Sequence, residues 1–250
     1  GQGGDVIVAD EGGASVNVQP GKNYNVALIV DTSGSMQYGL NGDGLFSNNP
    51  DEINDSVYAA SRMKLIKDSL LQLAEQLKNH DGIINVSLIA FDTDVELKAS
   101  IQNLSENNID DLLTAIGRAK TEGLQALGGT NYESAFIGAS QWFAGQPSEN
   151  EGFGNLTYFL TDGDPSRSNS GTNGSVGTDP KDMLDAIEAF APLSAVSSVH
   201  AIGIGDGVTV DNLKYFDNTE EGSLVKAPFG MPEEVLADFS NNGGWNNANN

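Results

Sequence analysis

The run N-V-A-L-I-V, Asn25 to Val30, is apolar almost throughout and ends at Asp31. A strand that alternates polar and apolar residues shows one face to water; a continuous run instead predicts a central parallel strand buried on both faces. From about Asp55 to Lys78, the residues Val57, Ala60, Met63, Ile66, Leu70, Leu73 and Leu77 recur every three or four positions. That period lays them along one stripe of a helix covering the sheet. Ile83 to Phe91 and Val95 to Ser100 are again strand-like, and only D-T-D separates them. Three residues are too few for a crossover, so the two predict an antiparallel hairpin at a sheet edge.

Further along, helices are expected from about Glu106 to Lys120, with Ile109, Leu112, Leu113 and Ile116 inward, and from Tyr132 to Phe143. Asn155 to Thr161 reads as a buried strand, Pro180 to Phe190 as a helix with proline near its start, and Val196 to Gly205 as another core strand. A short helix near Val210 to Phe216, a weak strand around Ser223 to Lys226 and a helix near Pro232 to Phe239 complete the pattern. Strands thus alternate with helices. The expectation is an α/β, doubly wound, mostly parallel six-stranded sheet with one antiparallel edge strand and helices on both faces. Its binding crevice should lie at the carboxyl ends of the strands, where strand order reverses.

Residues 1–23 read as a link or a pair of short edge strands, 24–240 as the domain, and 241–250, almost entirely Asn and Gly, as a mobile tail. In 250 residues, 12 Lys+Arg stand against 35 Asp+Glu, for a net charge of −23. Such a surface repels phosphate backbones and anionic membranes and attracts cations, which argues against a nucleic-acid partner. The absence of cysteine excludes disulfides, thiolate zinc sites and a cysteine nucleophile. No apolar run approaches the ~20 residues of a membrane span, and the sequence opens at Gly1 without a basic and then apolar stretch, as expected of an excised module. A monomeric module within a longer protein is expected.

Candidate chemistry sits directly after the first strand, in D-T-S-G-S-M, where Asp31, Ser33 and Ser35 bring three oxygen donors from one loop. Hard cations such as Mg2+ and Ca2+ take oxygen ligands, and hydroxyls coordinate without adding negative charge, which keeps the ion electrophilic. Two further loops carry oxygens, G-G-T-N-Y-E with Thr130 and T-D-G with Asp162. In a doubly wound sheet all three loops reach one crevice. Taken singly, each has a plainer role: Thr130 as a helix N-cap, Asp162 as a turn residue, Asp31 and the serines as loop punctuation.

Together, D-x-S-x-S, G-G-T and T-D-G in this order resemble the metal-ion-dependent adhesion site of von Willebrand factor type A domains, over about Asn25 to Phe239. The resemblance implies that Ser33 and Ser35 bind one divalent cation, Mg2+ or Ca2+, directly. Thr130 would bind directly or through water, and Asp31 and Asp162 would lie in the inner or outer shell. The vacant position would take a carboxylate from a protein, peptide or other partner. The phrases Y-N-V-A-L-I-V-D-T-S-G-S-M and Y-F-L-T-D-G-D-P, with the acidity and the lack of cysteine, are similar to the version of the domain in giant bacterial repeats-in-toxin (RTX) adhesins exported by type I secretion. That likeness implies a secreted, cell-surface role in adhesion and biofilm attachment.

One departure is the insertion Gln37 to Asn54 between the first loop and the first helix. With Asp43, Asp51 and Asp55 it could hold an additional structural Ca2+ or form a polar loop that shapes ligand choice; Asp164 and the stretch Ser166 to Thr178 carry the same ambiguity. His80 and His200 are expected to cap or pack, and Trp142 and Phe143 to lie in the core. Two other functions remain in view. One is a metal-dependent hydrolase, for which no general base or phosphate loop is evident. The other is a spacer stiffened by Ca2+.

Overall fold

The computed structural model describes residues 18–44, 46–169 and 180–219. Its sheet contains β1 (Tyr24–Asp31), β2 (Ile84–Phe91), β3 (Val95–Ile101), β4 (Gly154–Thr161) and β5 (Ser198–Gly203), in the order β3-β2-β1-β4-β5. All neighbours pair in parallel except β2 with β3, the expected antiparallel edge hairpin. The described sheet therefore has five strands and not six. The sixth was expected at Ser223 to Lys226, which lies outside the described residues, as do residues 1–17 of the expected link at 1–23, the helix at Pro232 to Phe239 and the tail.

Every residue of β1 is buried, as its apolar continuity requires. Successive side chains of a strand point to opposite faces. Val26, Leu28 and Val30 accordingly join one core with Met63, Ile66, Leu70, Leu112 and Ile116. Ala27 and Ile29 join the other, with Phe136, Phe159, Phe190 and Phe216. Helices α2 (Arg62–Lys78) and α3 (Ile109–Ile116) cover the first face, and α4 (Tyr132–Ala144) and α5 (Pro180–Val196) the second. None of the described helices is long and apolar enough to cross a membrane.

Several boundaries differ from those read in the sequence. The helix expected over Asp55 to Lys78 is two, α1 (Asp55–Ala59) and α2. The break falls at Ser61, whose hydroxyl caps α2 by accepting from Lys64 N at 3.1 Å and whose backbone bridges to Gly39 in the insertion. The third helix stops at Ile116, short of Lys120, because Gly117 takes φ 73° and turns the chain so closely that a Cβ there would lie 2.3 Å from the Glu122 carbonyl. In contrast, α5 runs past Phe190 and through Pro192 to Val196. Phe190 and Leu193 are fully buried on either side of that proline, and their packing outweighs the lost helical hydrogen bond. The chain then continues as α6 (Val210–Leu213) and a 3-10 turn to Phe216.

His80 follows α2 and bonds through Nε2 to the Lys22 carbonyl at 2.7 Å, while His200 stacks on Tyr158 across β4 and β5. Trp142 and Phe143 are buried against each other, and Trp142 donates to Ser100 Oγ at 2.9 Å. All four side chains have packing or capping roles.

Candidate metal centre

Strand order reverses at β1, with β2 and β3 on one side and β4 and β5 on the other, so a crevice opens at the carboxyl ends of β1 and β4. Asp31 ends β1 and Asp162 follows β4 directly. Asp31 is wholly buried. Its Oδ1 accepts from Ser33 N at 2.8 Å, an Asx turn that swings the loop back over its own carboxylate, and its Oδ2 accepts from Thr161 Oγ1 at 2.7 Å. The turn leads into a 3-10 helix over Gly34–Gln37 and brings Ser33 Oγ within 3.0 Å of Ser35 Oγ. Ser35 in turn donates to Asp162 Oδ1 at 2.8 Å.

The loop carrying Thr130 is bound to the first loop by backbone hydrogen bonds, Leu127 N to Thr32 O at 2.7 Å and Gly34 N to Gly128 O at 3.0 Å. Thr130 is buried, and its carbonyl accepts from Ser166 N and Arg167 N at 2.9 and 3.1 Å. It does not cap α4. The cap is Asn131, whose side chain accepts from Ser134 N at 3.1 Å, so the Thr130 hydroxyl is not spent on that task.

A sixth residue, absent from the sequence reading, joins the group. Arg62 is buried at the start of α2, and its Nη1 donates to Asp162 Oδ2 at 2.8 Å. Its Nη2 meets Asp206 Oδ1 at 2.6 Å and its Nε donates to Gly39 O at 3.0 Å. Nothing local announces this role, because its acidic partners lie 100 and 144 residues away in the chain.

Burial is the main influence on both carboxylates. It pushes Asp31 up to about 7, with the nearby Asp162 charge adding to the rise and the Ser33 and Thr161 donors opposing it. Asp162 is also raised by burial, against the hydrogen bonds from Arg62 and Ser35. Arg62 pairs with Asp162, but among the described residues no salt bridge reaches Asp31, and a cation would supply the positive charge that it lacks. The donor set is all oxygen, two carboxylates and three hydroxyls, which is the chemistry that Mg2+ and Ca2+ take. The residues present fit such an ion.

Of the other predicted acids, Asp164 and Asp55 have side-chain partners of their own. Asp164 ties its loop to the α6 region by accepting from Thr209 N at 3.3 Å and from Asn212 Nδ2 at 2.8 Å. Asp55 pairs with Lys120 at 3.0 Å, and Lys120 also donates to the Ile53 carbonyl at 2.6 Å and weakly to that of Asp51. Asp43 is exposed, with its carbonyl accepting from Gly39 N at 2.7 Å. Among the described residues, no group of three or more His, Asp or Glu side chains is arranged to hold a metal. The insertion is anchored instead by Gln37, which bonds to Ser47 N and O and to Ala126 O at 2.7 to 2.8 Å. It sets Phe46, 45% exposed, against Gly34 of the first loop.

The profile of the von Willebrand factor type A domain matches residues 26–164, more than half of the chain. The chain belongs to the von Willebrand factor type A family. Its fold is similar to that of solved structures, among them the D319A mutant of the PilB minor pilin from Streptococcus sanguinis, 19% identical with a TM-score of 0.58 over 90% of this chain and 62% of that one. Another is the von Willebrand factor type A protein from Catenulispora acidiphila, 18% identical with a TM-score of 0.54 over 89% of this chain and 42% of that one. The chain thus spans less than two thirds of either structure, and at these identities the likeness is one of fold. No curated protein matches it significantly in sequence.

Proposed function

We propose that this von Willebrand factor type A domain is a non-enzymatic adhesion module that captures an acidic group through one divalent cation, Mg2+ or Ca2+, held by Asp31, Ser33, Ser35, Thr130 and Asp162. The observation that carries the reading is the hydrogen-bonded chain Asp31, Ser33, Ser35, Asp162, in which residues from two distant loops share one buried corner. The bound ion would supply a positive charge with a vacant coordination position for a partner carboxylate. Ser33, Ser35 and Thr130 would hold it by neutral oxygens, while Asp31 orients the first loop and Asp162 orients Ser35. Phe46 and the rest of the insertion 37–54 would form the wall that a partner meets.

A hydrolase is less well supported, because the two histidines of the chain, the commonest general bases, are engaged elsewhere, His80 with the Lys22 carbonyl and His200 against Tyr158. The acidity, the lack of cysteine and the sequence likeness to RTX adhesins support a place on the bacterial surface, within a giant exported adhesin. The test is capture of the domain on carboxylate-coated and amide-coated surfaces with Mg2+, with Ca2+ and with chelator. Retention on carboxylate alone, abolished by chelator and by Asp31→Ala or Asp162→Ala in folded protein, is expected. Equal retention with chelator present would refute the mechanism.

A further inference from the structure

We propose that Arg62 is a positioning residue of the metal centre that holds one oxygen of Asp162, leaves the other to orient Ser35, and cancels the charge of the carboxylate, making the site anion-poor so that a bound cation depends on its acidic partner. The proposal rests on the metal-binding reading above and adds to it a named control.

The geometry is specific. Asp162 has two oxygens: Oδ2 takes the Arg62 Nη1 hydrogen bond at 2.8 Å, and Oδ1 takes the Ser35 hydroxyl at 2.8 Å. With both occupied, the carboxylate orients Ser35, directing the lone pairs of its hydroxyl away from Asp162, and has little freedom to swing onto an ion. The guanidinium is itself fixed on three sides, by Asp162, by Asp206 and by the Gly39 carbonyl. Its backbone N–H also donates, to Tyr38 O at 2.8 Å. The close approach depends on glycine at 205 as well, since a Cβ there would stand 2.6 Å from Arg62 Nε.

Charge decides the consequence. Asp31 and Asp162 are both buried, whereas the side chain of Asp206 is 62% exposed, so its charge is largely screened by water and that of Arg62 is spent mainly on Asp162. A divalent ion in the crevice therefore meets about one net negative charge, from Asp31, together with neutral hydroxyls. It retains positive charge for a partner carboxylate, and the two should bind cooperatively. A lysine could supply the charge but not the planar fork that reaches three acceptors at once.

The sign of the expected effect separates this role from a merely structural one. If Arg62 only held loops together, neutralising it would loosen the site and weaken cation binding. If it trims charge, Arg62→Gln should bind Mn2+ and Mg2+ more tightly, on the order of tenfold, although it melts at a lower temperature. Calorimetric titration of the whole chain with Mn2+ alone, in wild type, Arg62→Gln and Arg62→Lys, gives the answer. Tighter binding in Arg62→Gln with near wild-type affinity in Arg62→Lys is expected. Unchanged or weaker binding in Arg62→Gln overturns the proposal even where wild type binds Mn2+ normally. Should Arg62→Gln fail to fold, Arg62→Lys carries the test, and a loss of more than tenfold in that variant would likewise overturn it. Binding in Arg62→Gln but not in wild type would support the charge-trimming role while refuting a metal-loaded native state. Binding in neither would refute both.

Discussion

Thr161 donates its hydroxyl to Asp31 Oδ2 at 2.7 Å, joining the last residue of β4 to the last residue of β1 across 130 positions of sequence. The strands reach this point in register, Val30 opposite Leu160, so the bond follows from the sheet and not from a loop. It satisfies one lone pair of a buried carboxylate that water does not reach.

Thr161→Val keeps the shape and removes the donor. An unsatisfied buried acceptor costs roughly 1–3 kcal/mol, and urea unfolding at neutral pH should show a loss of that size. The same change takes away one of the interactions that hold the Asp31 proton affinity down, so apparent cation affinity should fall as well. Unfolding indistinguishable from wild type would mean that the bond does not form in solution.

Asp31 also predicts a pH dependence whose sign is opposite to that of an ordinary paired carboxylate. Its folded value, about 7, lies above the ordinary 3.8, so the metal-free fold gains stability from a bound proton below about pH 4 and loses it as pH rises toward 7. Asp31→Asn, which is neutral throughout, should therefore be more stable than wild type in chelator at pH 7.5, with the gap closing near pH 4. A gap that does not change with pH would contradict the assignment. Cation binding should reverse the trend by releasing a proton below pH 7, measurable as a dependence of calorimetric heat on buffer ionisation enthalpy.

At the opposite end of the sheet, Asn85 donates to Asn25 Oδ1 and Asn25 donates to Asn155 Oδ1, both at 2.8 Å, across three paired strands. Asn25→Leu would strand a donor on one neighbour and an acceptor on the other, with a cost of about 2–4 kcal/mol. Asn25→Leu combined with Asn85→Leu should cost less than the sum of the single changes, because the second removes a group that the first had already orphaned. Additive losses in denaturant unfolding would show that the amides do not act as a ladder.

These relationships mark what the sequence could and could not disclose. β1 was legible because it is a nearly unbroken apolar run, and the candidate loop after it because D-x-S-x-S puts three oxygen-bearing residues within five positions. The ladder left a trace that was missed, an Asn in second place in each of Y-N-V, I-N-V and G-N-L. Arg62 left none, since its role exists only once Asp162 and Asp206 are folded against it. The helix over Asp55 to Lys78 had the right period throughout, yet the insertion pulls the chain out at Ser61, a tertiary pairing that periodicity does not encode. For Asp164 the sequence leaves a ligand and a loop role open, because the groups its carboxylate meets, Thr209 N and Asn212 Nδ2, arrive from 45 and 48 residues further on.

One cation is expected among Ser33, Ser35 and Thr130, with a coordination position left for a partner. Anomalous diffraction from crystals grown with millimolar Mn2+ would locate it. A single strong peak within about 2.0–2.6 Å of the Ser33 and Ser35 hydroxyl oxygens is predicted. No peak there, or peaks only at surface carboxylates such as Asp43 and Asp51, would contradict it.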